Sequence, residues 1–281
     1  LGLELDRSSI VVGVGGGVVC DITGFVASTY LRGLRFGFVP TSLLAMVDAS
    51  IGGKNGVNLS GYKNLVGTIR QPEFVLVDFS FLKTLPESEV RNGLAEMIKH
   101  AVISGEENFS GMEKNIDIFN GLKSLDTLDN KVIGRLEGLV ADSVKVKAGI
   151  VSRDELENSE RMKLNFGHTL GHAVEKTTGR PHGEAVSIGM AIAVQVSVSR
   201  GLLNFADAGR IISLLEKAGL PVKADFDKSS LIDAIRKDKK RRGQGIQMVL
   251  LKGIGNPVIE KISLEEIGAM LKEMKGPSER P

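Results

Sequence analysis

The sequence predicts an α/β fold, a mostly parallel sheet with helices, followed by a mainly α-helical part beginning near residue 80. Three observations predict it. The β-branched run Ser9-Ile10-Val11-Val12-Gly13-Val14 enters Gly15-Gly16-Gly17 and then a helical segment. Short apolar runs alternate with turns through the first eighty residues, the pattern of a parallel sheet. From Leu85-Pro86 onward, apolar residues recur at helical spacing instead.

Taken in order, Ile10–Val14 is apolar throughout, as a strand buried on both faces should be. The glycine run turns the chain into a helix carrying Asp21 in its first turns. Phe36–Pro40 and Phe74–Asp78 read as two more strands. Between them lie a helix near Thr41–Val47 and a long polar loop from Asp48 to Lys63. Pro86, Glu87 and Glu89 mark a helix start. Helical periodicity follows around Val132–Ile150, Gly167–Thr177, Ala185–Ser199, Ala206–Ala218 and Leu231–Lys237. A hairpin pair, Ile246–Leu251 and Pro257–Ile262, precedes a last helix at Leu264–Met274. The polar tail Lys275–Pro281 is expected to be disordered.

Composition excludes several classes. The net charge is +2 with acids and bases interspersed, so no nucleic-acid footprint is expected. One cysteine, Cys20, leaves no intramolecular disulfide and makes a reducing cytoplasm the default. No uninterrupted apolar stretch is long enough to span a membrane, and no signal sequence opens the chain. The 34 glycines cluster in short groups and suggest tight turns around ligands or plain connectors. The basic run Lys237–Arg242 reads as a solvated loop or an anion site.

The most informative stretch gathers three of the four histidines, His168, His172 and His182. His168 and His172 are one helical turn apart on one face, and His182 opens the next apolar segment after a short turn. Imidazole is the commonest ligand of zinc-like metals, and a catalytic site needs three protein ligands and an open position. Glu96, on an apolar helix beside Lys99, either pairs with that lysine or completes the ligand set. The glycine turn brings backbone N–H groups to a helix N-terminus, where a pyrophosphate binds, although such a turn also serves as a plain connector. Lys54 and Lys63 in the polar loop suit an anionic substrate. Lys147, Arg161 and Asn165 precede the histidines, and Arg161 suits bidentate binding of carboxylate or phosphate.

These stretches together resemble the 3-dehydroquinate synthase family. The matching segments are GGGVVCDITGFVASTYLRG, VPTSLLAMVDASIGGKNGVN, GYKNLVG, GLAEMIKH, LNFGHTLGHAVE and HGEAVSIGM, in family order. The resemblance implies an incomplete Rossmann-like sheet domain over residues 1–80, a helical metal- and substrate-binding domain over 81–281, and a homodimer. It implies Zn2+ or Co2+ on Glu96, His168 and His182, and NAD on Gly16, Gly17, Asp21, Thr41, Ser42, Lys54 and Lys63. Lys54, Asn64, Lys99, Lys147, Arg161, Asn165 and His172 correspond to catalytic positions. Asp48, Lys239 or Lys240 correspond to the substrate shell, and Arg32 to a residue reaching the neighbouring subunit's substrate phosphate.

The implied substrate is 3-deoxy-D-arabino-heptulosonate 7-phosphate. Its C5 carbinol is oxidised transiently by NAD+, phosphate leaves by β-elimination, the hydride returns, and an aldol closes the carbocycle. Sugar-phosphate cyclases making 2-deoxy-scyllo-inosose, a valiolone or aminodehydroquinate share this apparatus. More distant glycerol-type metal dehydrogenases lack the GGKNGVN and GYKN loops, and a non-catalytic truncated homologue is the alternative from another class. The family also carries a further segment before the glycine turn, so the sequence is expected to be truncated. Cys20 stands where the family often has glycine, so its side chain is expected to point away from the ligand.

Overall fold

In the computed structural model, residues 4–59, 62–127, 129–223, 228–238 and 245–273 are described. The chain divides into two compact units, one of residues 1–96 and 118–158, the other of 97–117 and 159–281.

In the first unit, β1 (Ile10–Gly15) and β2 (Arg35–Pro40) pair in parallel, from Ile10 opposite Arg35 to Gly15 opposite Pro40. Helix α1 (Gly17–Thr29) follows the glycine turn and returns the chain to β2. Its buried Cys20 and Ala27 meet Leu34, Phe36, Phe38 and Ala45 in one apolar cluster. The thiol of Cys20 therefore faces the core, and burial, reinforced by the charge of Asp21, pushes its pKa up to about 11. On the other side of the β1–β2 ladder's alternation, Ile10, Val12 and Val14 are exposed.

Three sequence expectations are compared with the structure here. The third strand expected at Phe74–Asp78 shrinks to a single parallel bridge between Phe38 and Val75. The amide of Phe38 donates to the Phe74 carbonyl and that of Leu76 to the Phe38 carbonyl. Asp78 ends the run by accepting the Ser80 amide at 2.8 Å, which starts a 3-10 turn over Phe79–Thr84. The long loop after Asp48 is largely an antiparallel hairpin, β3 (Lys54–Leu59) and β4 (Tyr62–Ile69). Glycine and asparagine disguise its two-residue period. Asn55 points inward, donating to the carbonyls of Gly53 and Arg70 at 2.9 and 3.0 Å, and a Cβ at Gly24 of α1 would stand 1.9 Å from its Oδ1. The helix expected near Thr41–Val47 forms as a short helical segment, π-wound over Ala45–Ala49.

Helix α2 (Glu87–Ser104) begins in the first unit and runs unbroken into the second, and α3 (Glu106–Asn115) follows it. Helix α4 (Asn130–Arg153) belongs to the first unit, capped by Asp129, which accepts the Lys131 amide at 2.8 Å.

The second unit is built around α5 (His168–Thr178) and α6 (His182–Ser199). Most of α6 is buried, from Gly183 to Ser197, so it has no polar face. Helix α7 (Phe205–Lys217) packs on α6 and α8 (Lys228–Asp238) on α5. The hairpin of β5 (Ile246–Leu251) and β6 (Pro257–Ile262) lies against α6, where Ser197 accepts the Leu251 amide at 3.0 Å and donates to the Ala193 carbonyl at 2.7 Å. Helix α9 (Leu264–Glu273) packs on α8. The expected disordered tail lies outside the described residues.

Helices α5 and α6 meet backbone to backbone. A Cβ added at Gly189 would stand 2.0 Å from the Gly167 carbonyl oxygen and 2.7 Å from the Gly171 amide. One at Gly171 would stand 3.0 Å from Val186 Cα. Gly167 itself has φ +78°, a left-handed conformation that side chains resist. Gly189→Ala must push the helices apart and is expected to cost about 3 kcal/mol. Gly209→Ala on α7, where a Cβ meets nothing within 4 Å, is expected to gain about 0.5–1 kcal/mol. Denaturant unfolding of the two variants checks the opposite signs.

Candidate metal, cofactor and substrate residues

The histidines are placed by two helix starts. The left-handed Gly167 releases the chain into α5 with His168 as its first residue, and Pro181 does the same for His182 at the start of α6. The ring centres of His168 and His172 are 5.3 Å apart, those of His168 and His182 5.6 Å, and those of His172 and His182 6.3 Å. The cluster expected from spacing therefore forms. His168 Nδ1 lies 3.2 Å from the Phe166 carbonyl oxygen. That oxygen only accepts, so Nδ1 carries the proton and Nε2 keeps its lone pair. His182 Nδ1 lies 3.5 Å from Glu175 Oε2, and the same reasoning puts the proton on Nδ1 and the lone pair on Nε2. His172 is exposed.

Glu96 is fully buried on α2, immediately before the part of that helix that belongs to the second unit. One of its carboxylate oxygens and one ring nitrogen from each of His168 and His182 lie within 4.8 Å of one another. One hard oxygen and two imidazoles fit a zinc-like divalent ion and leave a position for substrate. Other residues expected at the site also fall in the second unit. Lys99 and Arg161 are buried to 2% and 3% exposure, and Asn165 is half-buried. Charged side chains this enclosed are rare unless they serve a partner or a ligand.

The first unit holds the glycine turn. Gly16 is the extended residue before α1, and the Thr41 amide donates to the Gly15 carbonyl at 2.9 Å, closing the turn. A Cβ at Gly16 would lie 3.4 Å from Ser42 Oγ and one at Gly17 3.2 Å from Ala49 Cβ. Ser42 Oγ accepts the Ala45 amide at 3.3 Å. The first amides of α1 are left without helical partners, the arrangement that receives a phosphate.

Beside this turn, the Lys147 ammonium donates to the Asp48 carbonyl at 2.7 Å and to its Oδ1 at 2.6 Å. Burial and the like charge of Asp48 raise the Asp21 carboxyl to about 6, against the opposing pull of Lys147. Residues expected in separate roles, Asp21, Asp48 and Lys147, are thus one electrostatic group. Lys54, half-exposed on β3, pairs with Glu157, a residue held at φ +60°.

Arg32 is exposed in a left-handed turn beyond the C-terminal end of α1, the opposite end from the glycine turn. Helix α1 spans 13 residues, and at about 1.5 Å per residue its ends are far apart, so Arg32 is not brought to the group around Gly16. The side chains of Lys63 and Asn64, and residues Lys239 and Lys240, lie outside the described residues. Sequence reasoning missed Glu157 and Glu175. Glu175 carried a signal, since it lies seven residues after His168 and three after His172 on one helix face. Glu157 sits in an irregular segment with no period to betray it.

The family described as 3-dehydroquinate synthase N-terminal matches residues 1–92, and 3-dehydroquinate synthase C-terminal matches residues 93–241. The 3-dehydroquinate synthase of Enterococcus faecalis is 42% identical over 277 residues, covering 97% of this chain and 74% of the relative. That of a Nostoc species is 44% identical over 277 residues, 96% of this chain and 74% of the relative. Among solved structures, 2-deoxy-scyllo-inosose synthase complexed with carbaglucose-6-phosphate, NAD+ and Co2+ superposes with TM-score 0.84 at 29% identity, over 97% of this chain and 76% of that one. A 2-epi-5-epi-valiolone synthase from Streptomyces hygroscopicus, with NAD+ and Zn2+ bound, gives TM-score 0.86 at 31% identity, over 97% and 75%. An iron-containing alcohol dehydrogenase of Thermotoga maritima, 15% identical with TM-score 0.59 over 94% and 74%, shares the fold alone. With both family descriptions covering consecutive parts of the chain and relatives this similar along nearly all of it, the chain belongs to the 3-dehydroquinate synthase family.

Proposed function

We propose that this chain converts 3-deoxy-D-arabino-heptulosonate 7-phosphate to 3-dehydroquinate and inorganic phosphate, as a carbon–oxygen lyase acting as a cytoplasmic homodimer. The observation that carries the reading is the Glu96, His168 and His182 donor group within a chain 42–44% identical to 3-dehydroquinate synthases. The two sugar-phosphate cyclase structures compared above are less similar, at 29% and 31%, which favours the heptulosonate over their substrates.

Glu96, His168 and His182 hold the divalent metal, and Gly16, Gly17, Asp21, Thr41, Ser42, Lys54 and Lys63 hold NAD. When bound, the metal supplies Lewis acidity to a substrate hydroxyl and NAD a reversible hydride acceptor. The chain's own residues bind and orient. Arg161 offers a planar fork that matches a carboxylate. Lys147 is fixed by the main-chain carbonyl oxygen and Oδ1 of Asp48, so its ammonium is positioned before substrate arrives. Lys54 meets an anionic group of the substrate, and Lys99, Asn64, Asn165 and Lys239 or Lys240 complete the polar shell. His172 stands one turn from His168 and exposed, so its ring nitrogens can take and return the proton of the substrate hydroxyl. Arg32, away from the glycine turn of its own copy, suits the substrate phosphate of a second copy.

Incubating the protein with the heptulosonate phosphate, NAD+ and Zn2+ and measuring phosphate release tests the reading. Metal binding without any release would assign the chain a non-catalytic role. Glu96→Gln is expected to lower bound metal and phosphate release together, and normal occupancy with normal turnover would remove Glu96 from the ligand set. Lys147→Ala is expected to leave metal content unchanged while kcat/KM falls on the order of 100-fold, the scale of a lost charge-assisted hydrogen bond.

The raised pKa of Asp21 sets a pH dependence. The folded protein holds the Asp21 proton more tightly than the unfolded chain, so this residue's stabilising contribution is present below pH 3.8 and is lost as pH rises through about 6. Asp21→Asn is therefore expected to stabilise the fold at pH 8 by about 1 kcal/mol, discounted for partial exposure. The gain should shrink toward zero at pH 4 in denaturant titrations.

A further inference from the structure

We infer that Glu175 is a positioning residue for the metal, acting through His182. The inference rests on the reading of His182 as a ligand. Glu175 lies on the same face of α5 as His168 and His172, and its Oε2 is 3.5 Å from His182 Nδ1 at the start of α6. A carboxylate accepts only, so this contact holds the Nδ1–H tautomer and turns the Nε2 lone pair outward. Both side chains are mostly shielded, at 17% and 27% exposure, which strengthens the attraction relative to a surface pair.

The other carboxylate of this turn, Glu184, is engaged by Arg180 at 2.8 Å. Glu96 meets the ring nitrogens on the side of the proposed metal, and Glu175 is the carboxylate that faces His182 Nδ1. The two imidazoles are oriented by different means. His168 leans on the neutral Phe166 carbonyl, at 3.2 Å, whereas His182 leans on an anion. The anion makes His182 the more electron-rich donor of the pair, and the close crossing of α5 on α6 fixes the distance over which it acts.

The test is the dissociation constant for Zn2+, measured by competition with a chromophoric chelator, alongside the visible spectrum of the Co2+-loaded protein. Glu175→Ala is expected to weaken Zn2+ binding about 10–100-fold and to shift the Co2+ bands. The thermal midpoint of the metal-free protein should not move. Glu175→Gln, whose amide oxygen still accepts the Nδ1 proton, is expected to fall between parent and Ala. In His182→Ala, metal binding should collapse, and adding Glu175→Ala should cost nothing more.

Full Zn2+ affinity in Glu175→Ala, with collapse in His182→Ala, overturns the role of Glu175 and leaves the ligand set standing. Full affinity in His182→Ala overturns the ligand set itself. An affinity loss in Glu175→Ala matched by a fallen metal-free midpoint, and absent from Glu175→Gln, assigns Glu175 to packing and overturns the inference.

Discussion

The close crossing of α5 and α6 is the constraint on which the histidine cluster depends. Gly167, Gly171 and Gly189 leave no side chain between the two backbones, and a methyl group at Gly189 would overlap a carbonyl oxygen. Helices that approach this closely bring their first residues together, and His168 and His182 are those first residues. The crossing has little freedom to adjust because α6 is buried over most of its length. Glycine costs a helix about 1 kcal/mol relative to alanine, and bulkier residues here would forbid the close crossing.

The first unit solves a different problem, that of gathering charge in a partly enclosed place. Asp48 anchors Lys147 through both its main-chain and side-chain oxygens. Burial, and after it the charge of the same carboxylate, raises the Asp21 carboxyl to about 6, so its charge is lost only below neutral pH. In the proposed reading a pyrophosphate lies against the N-terminus of α1. An ionised carboxylate beside the phosphates would oppose the attraction of the helix dipole, which is worth about 0.3–1 kcal/mol. Carboxyls whose charge depends on their neighbours are a recurrent mark of functional sites.

Much of this was legible in the sequence, because it was written in periods and spacings. The four-residue step from His168 to His172, the strand–glycine–helix order at Ile10–Thr29 and the β5–β6 pair all follow from local rules. The β3–β4 hairpin was not legible, since Asn55, Gly56 and Gly67 carry little hydrophobic signal and are held by hydrogen bonds and close contact with α1 instead. The strand at Phe74–Asp78 was overstated because its apolar composition says nothing of Asp78, whose side chain turns the backbone away from the ladder. Cys20, near the glycine turn in sequence, is buried in the core cluster, its thiol donating to the Gly15 carbonyl at 3.9 Å. Sequence distance to a ligand-binding turn does not fix the side on which a helical residue lies.

Glu157 and Glu175 show why supporting residues escape a reading from sequence even when the proposed ligands do not. A ligand must be one of a few residue types, so its identity narrows the search. The group behind it only has to accept a hydrogen bond, and the chain offers 34 acidic side chains and a carbonyl at every residue for that task. His168 uses the carbonyl of Phe166 and His182 the carboxylate of Glu175. Both choices leave Nε2 as the donor, and both depend on φ and ψ at a helix start rather than on composition. The tautomer of each imidazole, and with it the capacity to bind a cation, is therefore set by tertiary geometry that the residue pattern alone does not encode.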